Sequence, residues 1–549
     1  MAHEARKGLI RIISNYLRLL TTLCLGIALV PLLISWLGDQ SFGLISLLGA
    51  NIGLAAIFRQ IIQQSLVREL GAAYHAGGEV FESHYRAICF ISVICAALSI
   101  VTFAAMILLL PFLDIPPDMV GASRIFVAAQ GINTAVMITL SPMLNMYLVT
   151  ERFVGYNVWF IGLRTASIIS ALVLGYIVGI KDTAVALQWY GIMMAAVSIL
   201  VYIIAAAYIY TKDRRLIIRC LGVSRDALRS VFGTFSWNSV VQVAMNLHEQ
   251  IPPLLLNIFV GPLANAAWGI GFRFVSYIRM ATTGVQFGSD AVSARLAAHD
   301  DSDKAKKQLQ QLIGIQTKLT AMVALPAAFG VLIYCWPIFH IWVGRTLKNY
   351  EFVMTTAVLM TRVLVWALAA RSISETWMIV LYGAGYVRSY AKWVVIGGIV
   401  APGVSTLLMF LLPDDLRPFA PPAMLAIVFV FVHLFGFPFI VGKCLDVNPI
   451  SMLRSLLRPL FATLSAACAG IAVLGVSGNL MALGFYVDIN AETGASIEWA
   501  WVLASIVAYG IVYAIATGSF VLTANERSRI VGTIRARMPG STAPGASPE

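Results

Sequence analysis

Long apolar runs separated by short polar segments recur along almost the whole 549-residue chain. A transmembrane helix needs about 20 predominantly apolar residues. Fourteen segments meet this requirement, at 14–37, 42–66, 86–111, 122–149, 154–180, 185–210, 229–260, 263–293, 313–343, 351–381, 390–412, 420–442, 456–476 and 498–522. The pattern therefore predicts an all-α integral membrane protein with about 14 transmembrane helices.

The distribution of positive charge along the chain predicts how these helices are oriented. If the N-terminus lies in the cytoplasm, the segments on the inner side carry 25 Lys and Arg residues and the outer connections carry five. This asymmetry is typical of the positive-inside rule, and it predicts that both termini are cytoplasmic. A multi-pass membrane protein with this orientation is expected. The net charge of +12 is thus assigned to membrane topology, and no nucleic acid partner is expected.

Composition supports the same class of protein. The chain is 59% hydrophobic and 12% charged, whereas soluble domains are about 25% charged. A weak internal repeat with an offset near 225 residues relates the first two helices to helices 7 and 8. It predicts an N-terminal lobe over 1–210, a basic cytoplasmic linker over 211–229, a C-terminal lobe over 230–444, two additional helices within 445–522 and a disordered tail over 523–549.

Ionisable residues inside membrane spans are costly and commonly mark a transport pathway. Six arginines form the candidate substrate-binding set: Arg18, Arg59, Arg164, Arg273, Arg279 and Arg362. At 1.5 Å per residue, Arg164, Arg273 and Arg362 lie about 15–18 Å from a helix end, near the midplane. The other three lie in the cytoplasmic third, where snorkelling towards the headgroups is the alternative. Arg371 is expected to pair with Glu375, one helical turn away.

Polar residues also recur on single faces of three predicted helices. They are Gln63 in helix 2, Asn238, Gln242 and Asn246 in helix 7, and Ser276, Thr283 and Gln286 in helix 8. In helices 7 and 8 each set falls within about 80° of the helix circumference. We interpret these faces as the lining of a cavity, with hydrogen bonding between helices as the alternative.

His248 and Glu249 are the candidates for ion coupling. A carboxylate in a cavity could bind Na⁺ or a proton, and the alternative is a structural ion pair. Asp39, at the predicted outer turn between helices 1 and 2, is interpreted as a turn residue, with a gate as the alternative. The sequence contains neither a phosphate-binding loop nor a Cys/His cluster. No cofactor, metal site or disulfide is therefore expected.

The segment RKGLIRIISNYLRLLTTLCLGIALVPLLISWLGDQSFGLISLLGA, followed by RQIIQQSLVRELGAAYHAGG, resembles the start of polysaccharide-type flippases. These belong to the multidrug/oligosaccharidyl-lipid/polysaccharide (MOP) exporter superfamily. The resemblance is clearest over residues 8–110 and recurs faintly over 228–310. It implies two six-helix lobes, a central cavity lined by helices 1, 2, 7 and 8, and transport without ATP hydrolysis by the protein. The substrate implied is a polyprenyl-pyrophosphate-linked oligosaccharide, moved from the cytoplasmic to the periplasmic leaflet. The location implied is a bacterial inner membrane, which the protein crosses many times.

Three functions are considered for a protein with this sequence. The flippase is favoured because a cationic cavity suits an anionic pyrophosphate. The alternative is a cation-coupled drug or metabolite antiporter of the same superfamily, for which a cavity rich in carboxylates is expected. A membrane-embedded glycosyltransferase or polymerase is disfavoured because the outer loops are short, so the protein is not expected to be an enzyme. A monomer in contact with membrane lipids is expected, with polysaccharide polymerase or ligase machinery as the candidate partner.

Overall fold

A computed structural model describes residues 2–49, 70–71, 73–74, 77–150, 152–286, 289–297, 302–484, 498–524 and 526–528. Within its helices, the side chains at 2–13, 15–16, 230, 232–238, 291 and 302 are not described. Arg59 and Gln63 lie outside the described residues, as does the predicted tail beyond 528. The side chain of Asn238 is likewise outside the description.

The described chain is helical, with no strand among these residues. The helices are α1 (Ala2–Leu37), α2 (39–49), α3 (Gly78–Leu109), α4 (Pro117–Val149), α5 (Phe153–Leu172), α6 (Thr183–Lys212), α7 (Arg225–Phe259), α8 (Pro262–Gln286), α9 (Ser289–Ala297), α10 (Ser302–Trp342), α11 (Tyr350–Gly383), α12 (Val387–Leu411), α13 (Ala420–Ile427), α14 (Phe437–Leu445), α15 (Pro449–Ser455), α16 (Leu457–Val476) and α17 (Trp499–Ala516). Short π-helical segments at Val173–Ile177, Val428–Gly436 and Thr517–Val521 extend α5, α13 and α17.

Eleven helical segments of the described chain are long and apolar enough to cross a membrane. Each corresponds to one of the fourteen predicted segments. The other three are the segment 42–66, only partly described, and α7 and α8. These two helices form as predicted but are less apolar than the eleven. The prediction of an all-α, multi-pass membrane fold is thus confirmed.

The internal repeat matches the turn between the first two helices with the turn between helices 7 and 8, and the two turns share a backbone feature. Gly38, between α1 and α2, has φ of 81°, and Gly261, between α7 and α8, has φ of 110°. Residues with a side chain rarely adopt positive φ, so glycine permits each sharp reversal between consecutive helices. The remaining boundaries of the two-lobe division stay a prediction.

The chain divides into two compact units. Unit 1 comprises Met1–Met280, Ile338–Ala367 and Tyr386–Val432. An apolar cluster of unit 1 lies among α3 to α7 and includes Phe81, Tyr85 and Tyr202. Unit 2 comprises Ala281–Pro337, Leu368–Gly385 and His433–Glu549. In unit 2, α16 packs against α17 through Ala462 and Ala516.

Candidate substrate site

Two of the predicted arginines meet on one aromatic ring in unit 1. The guanidinium carbon of Arg18, in α1, lies 5.1 Å from the centre of the Phe160 ring in α5. That of Arg164 lies 5.7 Å from the same ring, and Tyr156 gives Arg18 a second ring at 5.4 Å. Within about 6 Å an aromatic face attracts a cation. Two positive charges from different helices are therefore held close together.

Arg273 brings α8 into the same part of unit 1. Its guanidinium carbon lies 5.4 Å from the centre of the Phe42 ring in α2. Tyr277, one turn further along α8, lies within electrostatic range of both Arg273 and Arg164. A Cβ on Gly26 would lie only 2.7 Å from the Tyr277 hydroxyl, so the absence of a side chain there leaves room for this hydroxyl beside α1. We call Arg18, Arg164, Arg273 and Tyr277 the arginine cluster.

The arginine cluster has an excess of positive charge. Neither Arg18 nor Arg273 has an acidic side chain within 4.0 Å among the residues whose side chains are described. A pair of weakly compensated guanidinium groups inside a membrane protein is costly unless an anion or water solvates them. Guanidinium groups bind phosphate oxygens through parallel hydrogen bonds. The arrangement can therefore bind a phosphate-bearing anion.

Arg279 differs from the arginines of this cluster. Its Nη1 lies 2.8 Å from Oε1 of Glu249, which joins the polar faces of α8 and α7. The sequence assigned Arg279 to substrate binding and Glu249 to ion coupling. The structure brings the two together, so the charge of Arg279 is largely compensated by its partner.

The polar face of α7 lies partly inside the protein. Asn246 is buried, and its Nδ2 donates a 2.8 Å hydrogen bond to the backbone oxygen of Gln242. His248 is buried, with its ring centre 5.0 Å from that of Phe429. It lines a small, mostly apolar cavity together with Pro252 and Leu425. The described geometry thus favours hydrogen bonding and packing for Asn246 and His248.

The polar residues of α8 have mixed surroundings. Ser276 Oγ donates to the Phe272 backbone oxygen at 2.6 Å, and Thr283 is exposed. In unit 2, the buried Gln286 donates to the backbone oxygen of Ser372 at 2.7 Å and to Thr376 Oγ1 at 3.0 Å. Gln286 therefore connects α8 to α11.

Two further arginines lie buried in α11. Arg362 is 7% exposed. The Arg371 Nε lies 2.9 Å from Oε1 of Glu375, so the predicted ion pair is confirmed.

Three sets of hydrogen bonds link helix ends at five connections that were all predicted to lie on the outer side. Asp39 Oδ2 accepts hydrogen bonds from the backbone nitrogen and the Nδ2 of Asn349, at 2.8 and 3.0 Å. The Trp36 indole donates to the Ile180 backbone oxygen at 2.9 Å. Asn257 exchanges two 3.0 Å hydrogen bonds with the backbone of Asp114. We call these the outer contacts.

The outer contacts were largely missed from the sequence. Asp39 was considered, but Asn257 and Asn349 were not, because single polar residues near helix ends give no pattern. Two partners in the arginine cluster left a local signal, since Phe160 and Tyr277 each lie four residues from an arginine.

No family model matches the chain, and no curated protein matches it. Similarity to solved structures is extensive at low sequence identity. Lipid II flippase MurJ in an inward closed conformation is 12% identical, with a TM-score of 0.64 over 93% of this chain and 98% of that one. A MATE protein in complex with MaL6 is 11% identical, with a TM-score of 0.58 over 80% and 97%.

A third similar structure is a MOP superfamily transporter from Pyrococcus furiosus, whose binding pocket is described as having reverse polarity. It is 12% identical, with a TM-score of 0.58 over 80% of this chain and 96% of that one. The chain therefore has the fold of MurJ and the MATE transporters. The fold that the resemblance implied is therefore confirmed.

Proposed function

We propose that this protein is a transporter that flips a polyprenyl-pyrophosphate-linked oligosaccharide across the bacterial inner membrane. The observation that carries the proposal is the arginine cluster, in which α1, α5 and α8 each contribute a guanidinium group. The fold shared with lipid II flippase MurJ supports a lipid-linked substrate. The cargo would serve the synthesis of a cell-surface polysaccharide, such as an exopolysaccharide or lipopolysaccharide, with polymerase or ligase machinery as the partner.

The chemistry of such a cargo explains why the cluster is cationic. A pyrophosphate carries negative charge that loses its hydration in a region of low dielectric constant. Guanidinium groups compensate this loss through charge-assisted hydrogen bonds. A cationic drug would instead be repelled by Arg18 and Arg273. The charge of the cluster therefore favours the flippase over the cation-coupled antiporter, although both share this fold.

The mechanism that fits this arrangement is alternating access. The arginine cluster captures the pyrophosphate, and the sugar enters the wet cavity while the lipid tail stays in the bilayer. The outer contacts link five outer connections during capture. Release requires them to separate, and this step is coupled to an ion gradient or the membrane potential.

Transport in proteoliposomes tests the proposal. An undecaprenyl-pyrophosphate-linked oligosaccharide is supplied, and its transfer is compared for the wild type, Arg273→Ala, Arg273→Lys and the exposed control Arg124→Ala. Losing two charge-assisted hydrogen bonds of about 1.5–3 kcal/mol each predicts more than a hundredfold loss for Arg273→Ala. Arg273→Lys should recover part of the activity, and Arg124→Ala should transport normally.

The same preparation distinguishes the antiporter. Wild-type protein that exchanges cationic drugs for Na⁺ or protons, and moves no lipid-linked sugar under any imposed gradient, would overturn the flippase. Unchanged lipid transfer by Arg273→Ala would overturn the electrostatic explanation alone.

The Glu249–Arg279 pair is the proposed point of ion coupling. Glu249→Gln removes the carboxylate and leaves Arg279 charged. We expect transport by this variant to become insensitive to an imposed Na⁺ or proton gradient. If Glu249→Gln retains the gradient dependence of the wild type, the pair is structural.

A further inference from the structure

A second concentration of arginines lies away from the arginine cluster, where α3 begins and the chain leaves α6. A cavity of about 280 Å³ opens there, lined by Phe81, Glu82, Tyr85, Arg86, Arg214, Arg215 and Arg219. We call it the basic pocket. The charge distribution predicts that it faces the cytoplasm. Its volume is close to the lower end of small-molecule sites, about 300–1,000 Å³.

The segment 213–219 is fixed against α3 by an apolar anchor and an ion pair. Leu216 is 1% exposed and belongs to the apolar cluster of unit 1. Arg215 donates to both carboxylate oxygens of Asp213, with Nε and Nη2 at 3.0 and 2.8 Å. The Arg215 guanidinium keeps the pKa of Asp213 below its usual range. The guanidinium carbon of Arg215 also lies 5.3 Å from the centre of the Phe81 ring. The pocket wall is therefore ordered by its own contacts.

The pocket carries more positive charge than its carboxylates compensate. Arg86 pairs with Glu82 at 3.0 Å, and Arg215 pairs with Asp213. Arg214 and Arg219 make no ion pair within the described part of the chain. Two of the four guanidinium groups are thus available to an anion.

One buried polar group in the pocket also has an unused hydrogen-bonding capacity. Tyr85 lines the pocket and is 3% exposed. Its hydroxyl lies near the Cys89 thiol and has no nitrogen or oxygen partner among the described residues. Buried hydroxyls are normally hydrogen-bonded, because an unmade bond costs free energy. An acceptor oxygen entering the pocket would give this hydroxyl a partner.

We propose that the basic pocket binds a phosphate-bearing anion at the cytoplasmic side of the membrane. Arg214 and Arg219 supply guanidinium donors that match phosphate oxygens, and Tyr85 donates a further hydrogen bond. The anion is either the headgroup of an anionic membrane lipid or a soluble phosphate compound. This site is separate from the arginine cluster, and the inference does not depend on the proposed function.

The test uses the full-length protein in nanodiscs of neutral phosphatidylcholine. One arm titrates inorganic pyrophosphate by isothermal titration calorimetry. The other measures retention of phosphatidylglycerol by native mass spectrometry after reconstitution in mixed lipids. The variants are Arg214→Ala/Arg219→Ala, Tyr85→Phe and Glu82→Gln. The matched control is Arg454→Ala/Arg458→Ala, which removes two exposed arginines from α15 and α16.

We expect the wild type to bind in at least one arm and the double pocket variant to bind at least tenfold more weakly. Tyr85→Phe should weaken binding about threefold. Glu82→Gln should strengthen it, because it removes a competing carboxylate. Binding in the pyrophosphate arm identifies a soluble ligand, and binding in the lipid arm alone identifies a headgroup.

Two results would overturn the proposal. One is an absence of wild-type binding in both arms. The other is an equal loss of binding in the pocket variant and the Arg454→Ala/Arg458→Ala control, which would indicate general surface charge. Because Arg214 and Arg219 are exposed, their replacement should leave the melting temperature unchanged. The Glu82→Gln variant tests the proposal through an expected gain of affinity rather than a loss.

Discussion

Replacing Asp39 by alanine should open the outer contacts. The buried carboxylate accepts two hydrogen bonds from Asn349, and its other oxygen accepts a 3.0 Å bond from the neighbouring Gln40 nitrogen. Only the two bonds from Asn349 join separate connections, so only they resist separation. A hydrogen bond to a charged group contributes about 1.5–3 kcal/mol.

The size of the effect follows from the exposure of Asn349. This residue is exposed, so its donors regain water when the contact breaks and each bond contributes at the low end of that range. The expected loss is about 2–3 kcal/mol, which corresponds to a roughly 30- to 150-fold larger population with this contact open.

Hydrogen–deuterium exchange of the full-length protein measures this population. Peptides covering 344–352 should exchange faster in Asp39→Ala, to an extent within that range, with Asp39→Asn intermediate. The control Asp415→Ala removes an exposed carboxylate from another predicted outer connection and should leave these peptides unchanged. If these peptides exchange in Asp39→Ala at the same rate as in the wild type, the reasoning is refuted, because a group other than Asp39 would then protect the Asn349 amide.

Two other predictions concern stability and pH. In α12, a Cβ on Gly398 would lie 2.9 Å from the Ala244 backbone oxygen in α7. Gly398→Ala should therefore destabilise the protein by about 1–3 kcal/mol in a thermal melt, whereas the open position Gly403→Ala should not. An unchanged melting temperature for Gly398→Ala would show that α7 and α12 move apart at little cost in free energy. Hydrogen bonding to Lys318, with an Nζ–Oε2 distance of 2.6 Å, lowers the pKa of Glu526 to about 2. The ion pair that lowers this pKa stabilises the segment 526–528 above about pH 4.3, and the stabilisation is lost only as the pH falls through about 2. The mobility of a spin label on this segment should stay constant from pH 7 to pH 4, and a transition near pH 4.3 would contradict the assignment.

The sequence by itself determined the elements of this protein. Apolar runs predicted the helices, some with bounds within a few residues of those observed, for example 351–381 against Tyr350–Gly383. Others extend further than predicted, since α1 and α10 begin more than ten residues before their predicted spans. Pairs separated by one helical turn were also within its reach, as Arg371 with Glu375 shows. The helices and the pairs within one helix are predictable for the same reason. The membrane imposes helix length, and 3.6 residues per turn fixes which neighbours along one helix can meet.

The tertiary structure decided which helices those side chains meet. The same α-helical periodicity is compatible with Glu249 coupling an ion or pairing with Arg279, and only the packing of α7 against α8 selects the pair. Arg18 reaches Phe160 across 142 positions of chain, and Asp39 reaches Asn349 across 310. Periodicity indicates which face of a helix is polar. Which partner faces it depends on long-range packing, where a single small residue such as Gly398 limits how closely two helices approach.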